Sequence, residues 1–399
     1  MVLTTPFHPR LVELNESQLW QHWAGYLSAD RFDLSARQEH TVLRNAAGWF
    51  DTSPLNKYAI RGRDAERFLA GVFVRDIRTC RPGRAQYTVW CDDRGHVLED
   101  GVVFRHASDD FLLTAAKPNA GYLSSLIGRL DVEVVDVSTQ WASVAVQGPK
   151  SREILATLAP DVLDLSFFAM TPAKVADVPV TISRTGFTGD LGFEVMIPAD
   201  AALAVLDAIV AAGAPYGMKP FGNVALDMAR IEAGLPLYGK EFTSARYAYT
   251  DHDRFTPQEL GLGWLVKNLD DDSRPFVGRR ALQREAAEGS ARWSTVGIVV
   301  DWRAYHDTFE AAGLVPPKDP EPVGWETMLY DDERERAGYA TSFMYSPMMQ
   351  GHIGIARVRP ELAAVGTTVH VETSVNHRYV NVPARVTTLP FFKPERKVA

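Results

Sequence analysis

The sequence lacks several of the features by which common classes of protein are recognised. Its two cysteines, Cys80 and Cys91, form neither a CxxC pair nor a disulfide framework. No run of lysine or arginine is long enough to follow a phosphate backbone, and the formal net charge is −8, so nucleic acid is not expected as the main partner. The ten histidines include no HExxH motif and neither cysteine has a histidine at ligand spacing, so no metal site is predicted.

Targeting segments and long apolar runs are also missing. The N-terminus lacks the charged and then apolar stretches of a signal peptide, and the two cysteines suit a reducing compartment, so a cytoplasmic protein is expected. The most apolar window, 201–215, is shorter than the about 20 residues that cross a bilayer. It also contains Asp207, so we interpret it as an amphipathic helix and expect no membrane partner. Without GxGxxG before a helix or GxxxxGK[ST], nicotinamide and ATP chemistry have no local support.

The residues that are present predict a folded α+β protein with more than one core. The chain has 399 residues, 46% hydrophobic and 23% charged, which excludes disorder as the main state and exceeds what one core usually supports. Strand and helix signals alternate over 48–126 and again over 142–212, with helices predicted at 65–73 and 201–212. From 296 onward, short strands with almost no helical periodicity predict a small β-barrel or sandwich. The proline-rich stretch 313–323 is interpreted as a surface loop.

One glycine-rich turn, TGFTGDLGFE at 185–194, joins two predicted strands. Alone it is most simply a hairpin whose glycines supply positive φ. It also resembles the TGYTGExGFE signature of the aminomethyltransferase (glycine cleavage T-protein) family. Further stretches resemble that family in the same order: GWFDTSP (48–54), GRAQYT (83–88), QGP (147–149), LDMARIEAGLPLY (226–238), FVGR (276–279), and a C-terminal set of TS (341–342), SP (346–347) and PFF (390–392).

The resemblance implies a specific architecture and cofactor. The family fold has two ferredoxin-like lobes around a central folate channel and a C-terminal β-barrel, in agreement with the α+β, α+β, all-β order of the signals. On this pattern, 1–50 with 140–250 form the first folate-binding lobe and 51–139 form the second. Residues 251–290 are then a linker helix region and 291–399 the barrel. The resemblance also implies that tetrahydrofolate binds in the channel and exchanges a one-carbon unit there.

Asp100 is the predicted catalytic residue. Transfer to a folate nitrogen needs a carboxylate that orients the reacting amine and handles a proton in a dry site. Glu99 and Asp100 match the two acidic positions of the family's GGxxxD strand. Neighbouring residues in a strand point to opposite faces, so only one of the two can face the channel. The alternation of polar and apolar residues around them does not decide which one, and the family resemblance selects Asp100. The alternative is that both are solvated turn residues.

The resemblance also implies three folate contacts. Glu194 would accept two parallel hydrogen bonds from the pterin ring, an arrangement that suits a carboxylate. Tyr87 would line the channel, and Arg230, the second arginine of the RDxLR pattern, would bind folate. Without the family context, Glu194 is an outward-facing strand residue and Tyr87 a half-buried one.

Two departures from the family pattern bear on the substrate. Leu226 stands where the family has the first arginine of RDxLR, and LTAAKPN (113–119) replaces VNAxN, so the asparagine near the folate ring is missing. With the strand 87–92 and the long N-terminal segment, these departures resemble the folate-dependent demethylase branch. The function predicted is therefore transfer of a methyl group from a small O-, S- or N-methyl donor to tetrahydrofolate.

The donor-binding residues proposed from the sequence are Tyr26 and Trp90. Trp20, Trp23 and Tyr26 have helical spacing, so they could form a core stripe or line the donor pocket. Two other functions stay open: an aminomethyltransferase that docks a lipoyl carrier protein, and a non-catalytic folate-binding protein. The KGCYxGQE motif of the latter branch does not occur here.

Overall fold

The structure, a computed structural model, describes residues 2–267, 269 and 273–399. Its helices are short, and most pack on sheets. The α-helices of this part are α1 His8–Leu14, α2 Ala36–Asn45, α3 Ala65–Val72, α4 Ala120–Ser125, α5 Ser151–Ala156, α6 Ala202–Gly213, α7 Asn223–Glu232, α8 Arg279–Glu288 and α9 Trp302–Glu310.

Strands form an N-terminal hairpin and three larger assemblies. In chain order they are β1 Trp20–Trp23, β2 Tyr26–Ala29, β3 Gly48–Asp51, β4 Asn56–Arg61, β5 Arg84–Cys91, β6 Val97–Arg105, β7 Asp110–Ala115, β8 Glu133–Asp136, β9 Trp141–Gln147, β10 Met170–Val175, β11 Val178–Ser183, β12 Gly192–Pro198, β13 Lys219–Pro220, β14 Ser294–Val300, β15 Thr327–Tyr330, β16 Arg336–Ser346, β17 Gly351–Val358, β18 Thr368–Val375 and β19 Arg378–Thr387.

The first lobe is a six-stranded sheet in the order β10-β11-β12-β9-β3-β13. Neighbouring strands are antiparallel except for β13, which pairs parallel to β3. One face of the sheet buries Val144, Phe193 and Val195 against the apolar side of α6, where Val205 and Ile209 are fully buried. Each such side chain contributes about 1.5–3 kcal/mol by leaving water. The alternate residues of the same strands are thereby directed to the opposite face.

The second lobe is a five-stranded antiparallel sheet in the order β5-β6-β7-β4-β8. Helix α3 packs on one face through Phe68, Leu69 and Val72, the residues that share a helical face in the sequence. The other face meets the first lobe, because Phe104 and Leu112 cluster with Trp141, Met170 and Met196. The space between the lobes therefore lies between two sheet faces.

The C-terminal strands close into a barrel in the order β14-β17-β16-β15-β18-β19. This confirms the α+β class with a C-terminal β-barrel. The expectation that the region has almost no helix was wrong, since α9 lies between β14 and β15. Asp301 caps it by accepting a 3.0 Å hydrogen bond from the Ala304 N–H, and Tyr305 and Phe309, four residues apart, are buried against the barrel.

The helical spacing of Trp20, Trp23 and Tyr26 does not correspond to a helix. The residues lie in the hairpin β1–β2, in which Trp23 pairs with Tyr26 across a two-residue turn. The turn residues Ala24 and Gly25 have φ of 49° and 95°, and positive φ at both positions is the geometry that joins two twisted strands. The turn therefore places the three aromatic residues in a hairpin, although their spacing is that of a helix.

One helical stretch among the described residues, Ala199–Tyr216, is apolar and long enough to cross a membrane by length and composition alone. Core helices pass the same criteria. Val205, Leu206 and Ile209 of this stretch are fully buried, so its apolar side packs in the core of the first lobe.

Candidate active site

Asp100 lies on the face of the second-lobe sheet that meets the first lobe. Along β6, the side chains of Asp100 and Phe104 point to the same face, and Phe104 packs in one cluster with Met196 of the first lobe. The Tyr87 hydroxyl, from neighbouring β5, donates a 2.9 Å hydrogen bond to Oδ2 of Asp100. The sequence-predicted acid and the sequence-predicted aromatic are thus brought together.

Glu99 points the other way. Its partner in register is Trp90, whose fully buried ring belongs to the core of the second lobe. Glu99 itself is 1% exposed, which excludes the alternative of two solvated turn residues. Strand register therefore decides what the residue types alone left open: Asp100 is on the sheet face that meets the first lobe, and Glu99 is on the opposite face.

The electrostatic surroundings of Asp100 and Tyr87 favour a carboxyl group that can exchange a proton. Burial raises the pKa of Asp100, and the hydrogen bond from Tyr87 offsets part of that rise. Burial and the neighbouring Asp100 raise the pKa of Tyr87 well above its usual value of 10. The phenol therefore keeps its proton and remains a donor, and the carboxyl is suited to general acid–base chemistry.

Glu194 lies on the opposing sheet face. In register it stands between Ser183 of β11 and Ala145 of β9, and it shares its face with Met196. The Thr185 hydroxyl donates to its carboxylate. Burial raises the pKa of Glu194, and that hydroxyl together with the ammonium of Lys57 opposes the rise. A carboxylate is thus aimed from the first lobe towards the second.

A cavity of about 140 Å³ separates the two faces and is lined by both lobes. Glu194 lines it, and so does Lys57, which sequence reasoning missed. Lys57 is fully buried and donates to the carbonyl oxygens of Ser53 and Leu55 at 2.9 and 2.8 Å. Burial lowers its pKa to about 8, although Asp51 and Glu194 oppose that shift. In the sequence, Lys57 and Arg61 alternate with Tyr58 and Ile60 as on an ordinary solvent-facing strand, so no local signal marks it.

The glycines of the 185–194 turn serve a different purpose from the one predicted. Of Gly186, Gly189 and Gly192, Gly189 alone has positive φ, at 75°. A Cβ at Gly186 or Gly192 would lie 2.0 or 2.1 Å from Oε1 of Gln147. The Gln147 amide donates to the carbonyl oxygens of Thr185 and Phe193 and so fixes the turn that carries Glu194. The glutamine of the QGP stretch and the glycine-rich turn are therefore one structural unit.

A second cavity, of about 600 Å³, opens beside Tyr87. Trp264 stacks on the Tyr87 ring with centroids 6.4 Å apart, and the Arg75 guanidinium lies 5.5 Å from the Trp264 ring centroid. Arg81 and Arg84 also line this cavity. The mouth next to the Tyr87–Asp100 pair is thus aromatic and cationic, which the sequence pattern did not predict.

The prediction that Arg230 binds folate is corrected by its surroundings. The side chain is fully buried, and all three guanidinium nitrogens are engaged. Nε donates to Asp227 at 2.6 Å, Nη1 to Glu241 at 2.7 Å, and Nη2 to Ser342 of β16 at 2.7 Å. Arg230 therefore joins α7 to the barrel.

The two residues proposed for the methyl donor are not brought to the site. Trp90 is fully buried in the core, where its Nε1 donates to the Asn119 side chain at 3.3 Å, so the prediction that it contacts a substrate is corrected. Tyr26 opens β2 and lines neither cavity in the described part of the chain. At the positions that depart from the family pattern, Asn119 accepts the hydrogen bond from Trp90, and Leu226 packs against the same buried cluster as Trp23.

Comparisons with known proteins show which family the chain resembles. The GCVT N-terminal domain model matches residues 11–269, and the glycine cleavage T-protein C-terminal barrel domain model matches 310–393. The chain is similar to the aminomethyltransferase of Geobacillus kaustophilus, at 33% identity over 90% of this chain and 91% of the relative. It is also similar to that of Streptomyces coelicolor, at 35% identity over 91% of each.

A solved structure shares the fold. The glycine cleavage system aminomethyltransferase T from Bartonella henselae superposes with a TM-score of 0.82 at 23% identity, over 98% of this chain and 99% of that chain. Together with the family models, this places both lobes and the barrel in one known architecture. The chain therefore belongs to the aminomethyltransferase (glycine cleavage T-protein) family of enzymes, which use tetrahydrofolate in one-carbon transfer.

Proposed function

We propose that this enzyme transfers an aminomethyl-borne one-carbon unit from a lipoyl carrier protein to tetrahydrofolate. The relatives named aminomethyltransferase, with about a third of their residues identical over nine-tenths of the chain, support this choice. The observation that carries it is the pair of carboxyl groups on the two sheet faces that meet between the lobes: Glu194 lines the cavity there, and Asp100 is held by Tyr87, which lines the neighbouring cavity. One suits proton handling and the other suits recognition of a ring with N–H donors.

The residues on the two faces fit a reduced folate. The Glu194 carboxylate points into a cavity whose other walls include the apolar side chains of Ala59, Leu112 and Met196. A flat ring with an amide-like edge fills such a space, because its faces meet apolar groups while its N–H groups meet an acceptor. Tetrahydrofolate supplies the nitrogens that accept the one-carbon unit.

The chain's own residues then have separate tasks. Glu194 binds and orients the ring, and the nearby positive charge of Lys57 opposes the rise that burial causes in the pKa of Glu194, which favours the ionised form. Tyr87 holds the Asp100 carboxyl in one orientation through its hydroxyl. Asp100 orients the reacting amine and takes up or returns a proton during the transfer. The carbon forms bonds to two folate nitrogens while its bonds to the carrier sulfur and to the amine nitrogen break, and the two protons displaced from the folate nitrogens end on the carrier thiol and on ammonia.

Demethylation is the second candidate, because two specific observations favour it. Leu226 occupies the position of an arginine in the family pattern, and Asn119 is committed to Trp90 rather than to the channel. A small methylated donor would then replace the carrier protein, and the product would be 5-methyltetrahydrofolate instead of 5,10-methylenetetrahydrofolate.

One experiment separates the candidates. The protein is incubated with tetrahydrofolate and either an aminomethyl-loaded lipoyl carrier protein or a panel of O-, S- and N-methyl donors, and the folate products are identified by mass. Methylene product with ammonia, from the carrier alone, is the expected result. Methyl product from a small donor would replace the proposal by demethylation, and folate binding without either product would indicate a non-catalytic protein.

The role of Asp100 is tested with the same assay. Asp100→Asn keeps shape and removes the charge, so turnover should fall by ~10²–10⁴-fold while the melting temperature and folate affinity change little. Glu133→Gln, a change at an exposed carboxylate of β8, is the matched control and should leave all three unchanged. Full turnover in Asp100→Asn would contradict the proposed mechanism.

A further inference from the structure

The segment that follows β19 returns to the first lobe and lies against the glycine-rich turn at 185–194. It forms no strand and contains one short 3₁₀ turn, Glu395–Lys397. The Phe392 N–H donates a 2.8 Å hydrogen bond to the carbonyl oxygen of Glu232, at the end of α7. The Arg44 guanidinium carbon lies 4.3 Å from the centroid of the Phe392 ring, which is a cation–π contact. The segment therefore leaves the barrel and packs on the lobe that carries the folate-side carboxylate.

Arg184 fixes this segment at the residue that begins the turn. Its guanidinium group is buried and donates to the carbonyl oxygens of Arg396 and Lys397, both at 3.1 Å. Arg184 directly precedes Thr185, and the Thr185 hydroxyl donates to the Glu194 carboxylate. One side of the turn is thus tied to the backbone of the segment next to a residue that touches Glu194.

Asp190, inside the turn, is the side-chain partner of Arg396. The Asp190 side chain is fully buried, and Nε and Nη2 of Arg396 donate to its Oδ1 and Oδ2 at 2.6 and 2.8 Å, a bidentate pair. Oδ1 also accepts a 2.7 Å hydrogen bond from the Leu191 N–H. Arg44 lies 3.7 Å from Oδ2, but two of its nitrogens bind Glu232. Among the residues that the structure describes, Arg396 is therefore the one cation hydrogen-bonded to Asp190.

We propose that Arg396 is a positioning residue for Glu194. Its ion pair with Asp190 closes the segment over the glycine-rich turn, and this turn presents the Glu194 carboxylate to the cavity between the lobes. A buried carboxylate that loses its cation is drawn towards water, because an unpaired buried charge is costly. The turn would then open, and Glu194 would become ordered only when a ligand binds, which lowers affinity. The closure of the turn stands without the proposed function, whereas its effect on folate binding rests on it.

Hydrogen exchange of the full chain tests the closure without any ligand. Arg396→Gln removes the charge of a side chain that is 40% exposed, so the protein should stay folded. Exchange of the backbone amides of 186–194 should become about tenfold faster, since the charge-assisted hydrogen bonds that hold the turn are lost. Arg378→Gln, at an exposed arginine of β19, is the matched control and should leave this exchange unchanged. Unchanged exchange in Arg396→Gln would overturn the proposal.

The positioning role is tested by calorimetric titration with tetrahydrofolate. Arg396→Gln should bind it roughly 3–10-fold more weakly than the wild type, the cost of ordering one side chain on binding. KM for tetrahydrofolate should rise by a similar factor while kcat is kept. In a Glu194→Gln background, Arg396→Gln should cause little further loss of affinity, because two residues that act through one contact are not additive. Melting temperatures establish that all variants are folded.

Two outcomes of the titration contradict the proposal. Equal affinity of the wild type and Arg396→Gln would show that the ion pair does not position Glu194. Additive losses in the double variant would show that Arg396 affects binding by a route other than Glu194. A wild-type protein that does not bind tetrahydrofolate would refute the proposed function instead, and the exchange experiment would still decide whether Arg396 holds the turn closed.

Discussion

Replacing Arg230, in the LDMARIEAG stretch, tests whether this residue holds α7 against the barrel. Arg230→Met keeps most of the side-chain length and removes the charge. It leaves the Glu241 carboxylate, 3% exposed, without its arginine, and the Ser342 hydroxyl loses the donor from Arg230 but still donates to Glu241. Breaking a buried ion pair in this way costs about 3–5 kcal/mol. With an unfolding entropy of about 2.1 cal/mol/K per residue, a chain of 399 residues loses roughly 1.2 °C per kcal/mol, so the melting temperature should fall by roughly 4–6 °C.

The assay combines differential scanning calorimetry with a tetrahydrofolate titration well below the transition. Folate affinity should stay unchanged in Arg230→Met, because none of the guanidinium nitrogens is directed to the cavity between the lobes. The matched double variant Arg230→Met/Glu241→Gln should recover part of the lost stability, since a neutral amide can remain buried with the Ser342 hydroxyl as partner. The reasoning would be refuted by a variant that melts like the wild type but binds folate at least tenfold more weakly.

Three further predictions follow from the same structure. Glu194→Gln should weaken tetrahydrofolate binding by roughly 10–100-fold, since it removes charge-assisted hydrogen bonds worth about 1.5–3 kcal/mol each; calorimetric titration measures it, and equal affinity would remove this residue from the site. Gly192→Ala should destabilise the protein by about 1–3 kcal/mol, because its Cβ would meet the Gln147 amide, and that cost should shrink in a Gln147→Ala background, as thermal melts of the four proteins would show. Glu232, buried with His40, has a pKa lowered to about 2: burial would raise it, but hydrogen bonds and charge from its partners prevail. Because the pKa is lower in the folded than in the unfolded protein, ionised Glu232 stabilises the fold above pH 4.5, and this contribution, roughly 3 kcal/mol, is lost as the pH falls towards 2. The free energy of unfolding should therefore fall more steeply between pH 4.5 and 2 in the wild type than in Glu232→Gln.

The sequence was sufficient for features that depend on local pattern and order. Helix α3 and the strands around Asp100 follow from periodicity and turn residues, and the succession of two mixed lobes and a barrel followed from where those signals change. The choice of Asp100 over Glu99 came from the family resemblance, and the structure gives it a physical cause in the register of β6 with β5.

What could not be predicted depends on contacts between distant parts of the chain. Lys57 is a site residue because β4 lies opposite Glu194, which no local pattern records. Arg230 was expected to contact folate because of the family resemblance, and its actual carboxylate partner, Glu241, lies eleven residues away and is placed by the fold. The hairpin at Trp23 was mistaken for a helix because a spacing of three also occurs across a two-residue turn.

The joint between α7 and the barrel changes how two distant sequence stretches should be compared among relatives. Arg230 and Glu232 on α7 form hydrogen bonds with Ser342 and Ser346 on β16, so the LDMARIEAG stretch and the TS…SP stretch are the two halves of one hydrogen-bonded interface. A substitution in one half should be accompanied by a compensating substitution in the other, more than 100 residues away. A protein that keeps one half and loses the other should be unable to retain its C-terminal barrel against the lobes, whatever the state of its catalytic carboxyl groups.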